Sequence, residues 1–303
     1  MKKQQILCST GALIGRPNGR DYRLLEKFVP ELECDGIEFM LYSTWYPVID
    51  ELIAFLRACH FNIPVMHCQK TLCEKLAGME TVFKDGVYLD RVFDRAEDEE
   101  VYRQGLKEFE ANLRVAEAVG AHAMVLHLWN GPVSDKNINS NYERFAELLR
   151  MARDYGVELM PENVICNTRD PLTNIEELHS RYPEVRFVYD TKMAEFHGQT
   201  MKLFEPEHAG LAETGRIGHI HMNDYSGGYM DWSNLKVLPI GAGHVDFDTF
   251  MQKLSAGGYD GHFTLEATGF DSTGTVDFDM LNSNIRAMRG LLERYPSAAC
   301  ERG

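Results

Sequence analysis

The sequence contains no apolar run of about 18 residues, the minimum length for a helix that spans a bilayer. A membrane-spanning protein is therefore disfavoured. The apolar stretch Ile6–Ile14 follows two lysines near the N-terminus, as the core of a signal peptide would. Ser9, Thr10 and Gly11 interrupt this stretch, so we interpret it instead as the first buried strand of the fold.

Basic residues are scarce relative to acidic ones. The chain has 31 Lys and Arg against 46 Asp and Glu, which gives a formal net charge of −15. A charge of this sign repels the phosphate backbone of DNA and RNA, which recruits proteins through clusters of Lys and Arg. Nucleic acid is therefore not expected as a partner.

The sequence also lacks any C-x-x-C pair. Its seven cysteines are odd in number and irregular in spacing: Cys8, Cys34, Cys59, Cys68, Cys73, Cys166 and Cys300. Disulfide frameworks use even numbers of cysteines, and cysteine-based zinc sites use short, regular spacings such as C-x-x-C. We therefore expect free thiols in a reducing, cytoplasmic compartment.

The 303 residues, 44% of them hydrophobic, alternate short apolar runs with longer amphipathic runs. Eight short runs are mostly apolar throughout, as expected of parallel strands buried on both faces. They are Ile6–Cys8, Gly36–Phe39, Ile63–Met66, Ala123–Leu128, Val157–Met160, Val185–Tyr189, Ile217–Met222 and His262–Leu265. Helix-like periodicity predicts helices over Tyr46–His60, Asn141–Tyr155, Phe247–Ala256 and Met280–Leu292.

Eight strand–helix units in succession favour a closed (β/α)8 barrel, the TIM barrel of the α/β class, over an open sheet. No linker or low-complexity segment interrupts the chain, so we expect one domain over residues 1–303. Two connections are long, Cys68–Glu99 and Tyr225–Asp246. Long loops of a barrel usually cover its active face, and we expect these two to do so.

Carboxylate and imidazole side chains follow the predicted strands at the points where the strands end. They are Glu38, His67, His127, Glu162, Asp190, His219, His221, Asp224 and Glu266. The carboxyl ends of barrel strands meet at one rim, so these side chains should lie close together. So many like charges on one rim repel one another unless a cation binds. Oxygen and imidazole donors suit Mn²⁺, Mg²⁺, Zn²⁺ or Co²⁺, so the pattern predicts a divalent-metal site.

Two of these histidines, His219 and His221, stand two residues apart on one predicted strand and therefore share a face. The sequence does not decide which of them binds a metal. One could be a ligand while the other orients it or contacts a substrate.

The C-terminal half carries a resemblance to a known group of proteins. The segments concerned are Pro161–Asn163, Val188–Asp190, Ile217–Asp224, Ile240–Phe247 and Gly258–Glu266. In this order they resemble the xylose isomerase-like superfamily of sugar isomerases, epimerases and apurinic-site endonucleases, and the resemblance covers nearly the whole chain. It implies a TIM barrel that acts on a small-molecule carbohydrate as an isomerase or epimerase.

The resemblance also implies a ligand set. In the ketose 3-epimerases of the superfamily, one divalent metal is held by the carboxylates that end strands five, six and eight and by the second histidine of an H-x-H motif. These positions correspond to Glu162, Asp190, Glu266 and His221. The two glutamates also form the acid–base pair there, which implies Glu162 and Glu266 as catalytic residues.

The implied chemistry is proton transfer at carbon. A metal that chelates a substrate carbonyl and a neighbouring hydroxyl acidifies the adjacent C–H, and a carboxylate removes that proton to give a cis-enediolate. Return of the proton to the other carbon isomerises the sugar, and return from the opposite face epimerises it. His67, His127, Asn163 and His219 are candidates for hydrogen bonds to the substrate.

Met193 stands where many sugar enzymes of the superfamily have a substrate-binding histidine. Lys192 and His197 are the candidates to replace it. The endonucleases need a histidine at the same place for a third zinc site, and they need an Asp-x-His motif where this chain has Asp231-Trp232-Ser233. The third zinc site therefore looks broken, which disfavours DNA repair on a second ground.

Two other functions stay open. His67 and His127 could complete a second metal site that shares Glu162, which would suit a two-metal hydrolase or phosphodiesterase. The chain could also be a non-catalytic sugar-binding barrel, although a binding protein does not need paired carboxylate bases. The number of metal ions per chain would separate the hydrolase from the isomerase. A homo-oligomer is possible.

Overall fold

The computed structural model describes residues 4–84, 87–131, 134–213 and 215–297. Within these ranges the strands are β1 (Ile6–Ser9), β2 (Gly36–Met40), β3 (Val65–His67), β4 (Met79–Lys84), β5 (Val87–Val92), β6 (Ala123–Leu126), β7 (Glu158–Pro161), β8 (Phe187–Asp190), β9 (Ile217–Met222) and β10 (His262–Leu265). Eight of them are parallel neighbours in the order β7, β6, β3, β2, β1, β10, β9, β8, and β4 pairs only with β5. The eight strands form a nearly closed barrel, which confirms the predicted TIM barrel fold.

The helices surround the barrel. They are α1 (Leu25–Phe28), α2 (Ile49–Cys59), α3 (Leu72–Leu76), α4 (Arg95–Val119), α5 (Ile138–Asp154), α6 (Pro171–Arg181), α7 (Thr191–Phe196), α8 (Ala209–Glu213), α9 (Phe247–Ala256) and α10 (Phe278–Arg294). Aspartates start several of them: the carboxylates of Asp94, Asp170, Asp246 and Asp277 each accept the N–H three residues later. A carboxylate at this position satisfies a free N–H and complements the helix dipole.

The inside of the barrel is filled by one small apolar cluster, formed by Leu7, Val65, Ala123, Val125, Met160 and Val188. Side chains of a strand alternate between its two faces, so the second residue beyond an inward apolar residue also points inward. This places His67 above Val65 and Asp190 above Val188. The apolar filling therefore carries a polar rim at the carboxyl ends of the strands.

The barrel closes at a weak seam between β7 and β8. Its backbone pairing is a single isolated bridge between Glu162 and Val188. The carboxamide of Asn163 extends the seam, because its Oδ1 accepts the Asp190 N–H at 2.6 Å and its Nδ2 donates to the Asp190 carbonyl at 3.2 Å. A side chain thus replaces strand pairing at the point where Glu162 and Asp190 leave their strands.

The eight predicted barrel strands are all present, with ends shifted by at most two residues. The predicted helix Phe247–Ala256 has the observed bounds, and the other three predicted helices correspond to α2, α5 and α10. The connection Cys68–Glu99 was expected to be a long loop, but it contains α3 and the β4–β5 hairpin. Continuous apolar runs do not predict this hairpin, because it is not buried on both faces: Val87, Leu89 and Val92 are largely exposed.

The second long connection is fixed by one carboxylate. Asp224 accepts the backbone N–H groups of Gly241 and Gly243 through Oδ2, both at 2.9 Å, and that of Val245 through Oδ1 at 3.0 Å. Gly243 approaches so closely that a Cβ there would collide with Asp224 and with the Tyr225 carbonyl. Asp224, one of the predicted rim residues, therefore organises this connection.

No helix in the described ranges is both long enough and apolar enough to cross a membrane. Six cysteines in these ranges carry free thiols, as the irregular spacing predicts. Cys300 lies outside the described residues.

Candidate metal centre

Four of the rim residues converge on one point. Suitable ligand atoms of Glu162, Asp190, His221 and Glu266 all lie within 4.8 Å of one another. Nδ1 of His221 faces the three carboxylates, at 3.1 Å from Glu162 Oε1, 3.9 Å from Glu266 Oε1 and 4.0 Å from Asp190 Oδ2. We call these four residues the carboxylate cluster.

Strand register explains the convergence. His221 of β9 stands beside Asp190 in β8 and beside Thr264 in β10. Glu266 lies two residues beyond Thr264 and therefore points to the same inner face. Asp190 is held in place by its neighbours, since Oδ1 accepts the Met193 N–H at 2.7 Å and Oδ2 accepts the Asn223 amide at 3.0 Å.

The structure places the two histidines of β9 differently. Nε2 of His221 donates to Glu38 Oε2 at 3.1 Å, which leaves Nδ1 facing the three carboxylates. His219 Nε2 and the Thr264 hydroxyl also bond to the same Glu38 oxygen, at 3.0 and 2.9 Å. His221 thus belongs to the carboxylate cluster, whereas His219 lies against Glu38.

A second group, which we call the imidazole cluster, shares Glu162. Glu162 Oε2 lies 2.6 Å from His127 Nε2 and 3.6 Å from His67 Nε2. The Nδ1 of His67 donates to the Cys68 carbonyl at 2.7 Å, so its Nε2 carries a lone pair. These three converging atoms are buried and have no well-formed hydrogen bond within the described part of the chain. Buried ligand atoms left without partners suit a bound cation.

Burial and charge oppose each other in the clusters. Burial alone would raise the pKa of Glu162, but the rings of His127 and His221 hold it well below its usual value. Burial lowers the pKa of His127 to about 4, against the attraction of Glu162. His127 is therefore neutral at pH 7, as a metal ligand must be.

Asp190 and Glu266 are shifted in opposite directions. Burial raises the pKa of Asp190 against the attraction of Lys192, and the charges of Glu162 and Glu266 reinforce the rise. Burial would raise the pKa of Glu266 as well, but Lys70 and His221 keep it below its usual value. The Lys70 ammonium lies 3.5 Å from Glu266 Oε1. A positive charge is thus already present beside one carboxylate, and a cation would neutralise the others.

A cavity of about 180 Å³ opens beside the carboxylate cluster. Glu266, Lys70 and Lys192 line it, together with Met40 and with Val237 from the connection that follows β9. The connection Tyr225–Asp246 was expected to lie at the active face, and Val237 brings part of it to the cavity. The side chain of Glu266 therefore borders both the cluster and the space where a ligand can bind.

Two predicted substrate-binding residues have other partners. The carboxamide of Asn163 is bonded to the backbone of Asp190 at the seam. His197 Nε2 accepts the Cys166 N–H at 3.1 Å, and burial lowers the pKa of this ring to about 4. Asp231, which stands where the endonucleases have their Asp-x-His motif, accepts hydrogen bonds from the side chains of Ser233 and Asn234.

Glu38 was expected at the rim but was given no role, and Lys70 was not expected at the site. The available signal for a role of Glu38 was a carboxylate inside the otherwise apolar run Gly36–Phe39, and the structure buries it fully. Lys70 gives no such signal. It lies in the irregular segment between β3 and α3, and a sequence pattern does not predict which way a side chain points in such a segment.

The sequence profile of the xylose isomerase-like TIM barrel family matches residues 27–289. An uncharacterised protein of Methanocaldococcus jannaschii is 28% identical over 160 residues, which is 50% of either chain. This chain therefore spans about half the length of that curated relative.

Solved structures share the fold along nearly the whole chain. A D-tagatose 3-epimerase-like protein is 18% identical with a TM-score of 0.62, and it covers 96% of this chain and 98% of its own. An L-ribulose 3-epimerase is 15% identical with a TM-score of 0.67, over 96% and 95%. The IOLI protein, solved with a zinc atom, is 14% identical with a TM-score of 0.66, over 96% and 99%.

Proposed function

Because the chain belongs to the xylose isomerase-like TIM barrel family, we propose that it is a metal-dependent isomerase or epimerase of a carbohydrate. The observation that carries the proposal is the convergence of three buried carboxylates on one nitrogen of His221. The names of two structural relatives, a D-tagatose 3-epimerase-like protein and an L-ribulose 3-epimerase, agree with it.

The carboxylate cluster has the donors that a divalent cation requires. Glu162, Asp190, His221 and Glu266 would hold one ion, with Glu38 orienting the His221 ring from behind. Three carboxylates and one imidazole suit Mn²⁺, Co²⁺, Zn²⁺ or Mg²⁺. The bound ion would polarise the carbonyl of a keto-sugar and acidify the neighbouring C–H.

Glu162 and Glu266 are the proposed acid–base pair. They leave the barrel after β7 and β10, and each presents Oε1 to His221. Glu266 borders the cavity, where it can accept a proton from a bound sugar and yield a cis-enediolate. Return of a proton to the neighbouring carbon isomerises the sugar. Return of a proton to the same carbon from the opposite face would epimerise it, with Glu162 delivering a proton taken up from solvent and Glu266 releasing its own to solvent.

Deuterium exchange tests the proposal. The protein is stripped of metal with a chelator, reloaded with Mn²⁺, Co²⁺, Zn²⁺ or Mg²⁺, and incubated with ketohexoses and ketopentoses in D2O. We expect at least one metal-loaded sample to convert a sugar and to incorporate deuterium next to its carbonyl, as seen by NMR. If elemental analysis and metal titration show no binding of any of the ions, the metal-dependent mechanism is wrong.

The imidazole cluster favours one competing function, a two-metal hydrolase or phosphodiesterase. His67 Nε2, His127 Nε2 and Glu162 Oε2 converge without well-formed hydrogen bonds, so a second ion could share Glu162. Metal content separates the two functions. One ion per chain together with C–H exchange supports the isomerase. Two ions without exchange, together with phosphodiester cleavage, support the hydrolase.

A further inference from the structure

One lysine at the cavity is buried without a close ion pair in the described part of the chain. Lys192 is only 7% exposed and lies on α7, two residues after Asp190. Its side chain lines the cavity beside Glu266, yet it makes no hydrogen bond or close ion pair with any residue in the described ranges. Burying an ammonium group without a partner is costly, so buried lysines normally face an anion.

Lys192 attracts the Asp190 carboxylate from beyond ion-pair distance, but a divalent ion bound by Asp190 would neutralise that carboxylate. Among the three carboxylates of the carboxylate cluster, a divalent ion would balance two, and Lys70 pairs with the third, Glu266, at 3.5 Å. Glu38 is turned away from the cavity and is bonded to both histidines of β9 and to Thr264. With an ion in the cluster, the charge of Lys192 is left for a ligand in the cavity.

The charge that is left in the cavity indicates the kind of anion. Barrel enzymes commonly bind phosphate through backbone N–H groups of the connections after the seventh and eighth barrel strands. Here the N–H groups of Gly241, Gly243 and Val245, in the connection after β9, all point to Asp224. With Lys70 paired to Glu266, one ammonium charge remains, that of Lys192, and it suits the single charge of a carboxylate. Lys70 has N–H donors left for a second hydrogen bond to the same carboxylate.

We propose that the substrate is an acidic carbohydrate, one whose carboxylate lies between Lys70 and Lys192 while its carbonyl end faces the carboxylate cluster. This substrate class rests on the proposed isomerase or epimerase function. The two lysines then act as specificity-determining residues, which select sugar acids over neutral sugars.

Binding to the Mn²⁺-loaded protein tests the inference separately from catalysis. Three probes share one ketohexose skeleton and differ at carbon 6: D-fructose, D-fructuronate and D-fructose 6-phosphate. Their Kd values are measured by calorimetry with the wild type, Lys192→Met, Lys70→Met and, as a control, Lys107→Met on the exposed face of α4. Circular dichroism shows whether each variant is folded.

We expect D-fructuronate to bind the wild type about 10- to 100-fold more tightly than D-fructose, as charge-assisted hydrogen bonds would give. Lys192→Met and Lys70→Met should each reduce that preference about tenfold, and Lys107→Met should leave it unchanged. If Lys192→Met does not fold, Lys70→Met alone decides. Tighter binding of D-fructose 6-phosphate than of the acid, lost in the same variants, would replace the carboxylate with a phosphate.

The inference is overturned if D-fructuronate does not bind, or if its preference over D-fructose is absent or survives in both cavity variants. The proposed function fails on a different measurement. D-fructuronate that binds through the two lysines but shows no deuterium exchange in D2O would retain the anion site and contradict the isomerase or epimerase.

Discussion

The two oxygens of Glu162 face different surroundings. Oε1 belongs to the carboxylate cluster, where Asp190 Oδ1 and Oδ2 and the His221 Nε2 already have partners. Oε2 belongs to the imidazole cluster, where the two Nε2 atoms and the oxygen itself lack well-formed hydrogen bonds. One cluster is rich in charge and held by surrounding donors, and the other is poor in charge and less well satisfied.

The difference indicates how selectivity could be divided. A cluster with three carboxylates attracts hard divalent ions strongly, whereas one with two imidazoles and one shared carboxylate favours ions that accept nitrogen ligands. Because both use Glu162, the occupancy of one must influence the other.

Glu162→Gln should break both clusters, whereas Glu266→Gln should break only one. The amide cannot accept a proton at neutral pH, so we expect either change to lower turnover about 10² to 10⁴-fold. Only Glu162→Gln should also weaken binding at His67 and His127. The measurements are the deuterium exchange rate and the metal content, with the exposed Glu143→Gln as control. Near-normal turnover in both variants would leave these glutamates as ligands only.

Asp190→Asn should weaken metal binding to the carboxylate cluster alone. Asparagine also starts helices well, so the contact with the Met193 N–H should survive while a ligand charge is lost. We expect the Kd of the metal to rise by at least about 100-fold, more than the loss of an outer contact causes. Asp246→Asn, which changes the same cap on α9, should leave metal binding unchanged. Equal effects of the two changes would contradict the ligand assignment.

Glu38→Gln tests the support behind His221. The amide keeps the shape of the side chain but removes the charge that orients the ring through Nε2. Loss of such an outer contact typically weakens metal binding about 10- to 100-fold. Metal titration should show this change for Glu38→Gln and not for the exposed Glu26→Gln. A lowered Tm with unchanged metal affinity would mean that Glu38 only stabilises the barrel.

His197 provides a buried imidazole outside both clusters. Burial lowers its pKa to about 4 in the folded protein, against about 6.5 when unfolded. Between these values the unfolded chain binds more protons, so stability falls as the pH is lowered. From pH 7 to 5 we expect this ring to account for about 2 kcal/mol of the loss.

Urea unfolding of the wild type and of His197→Gln at both pH values checks this prediction. The glutamine oxygen can still accept the Cys166 N–H but does not titrate. The variant should therefore lose about 2 kcal/mol less than the wild type over the same pH interval. Equal losses in the two proteins would show that the ring is not held neutral.

Many of the rim residues could be predicted, because the side chains of a strand alternate between its two faces. Once Val188 and Val65 are recognised as strand residues, the alternation of faces carries Asp190 and His67 to the inside of the barrel. The different roles of His219 and His221 could not be predicted, since both share that face and both bond to Glu38. Only His221 stands beside Asp190 in the neighbouring strand and faces the carboxylates, and this depends on the register between β9 and β8.

Contacts made by irregular segments were not predictable either. Lys70 and Lys192 reach the cavity from the ends of different strands, and the path of a long flexible side chain has no period. The hairpin β4–β5 was missed for a related reason. A two-stranded ribbon with an exposed face lacks the continuous apolar pattern of barrel strands.

The seam between β7 and β8 affects how the barrel opens. The barrel is least well fastened between β7 and β8, and the two carboxylates that flank this joint, Glu162 and Asp190, repel each other. An ion bound by both carboxylates would link β7 to β8, so metal binding and closure of the barrel would be coupled. Breathing of the barrel should therefore begin at this joint, and the slowest amide exchange should lie on the opposite wall, where β1 pairs with β2 and β10.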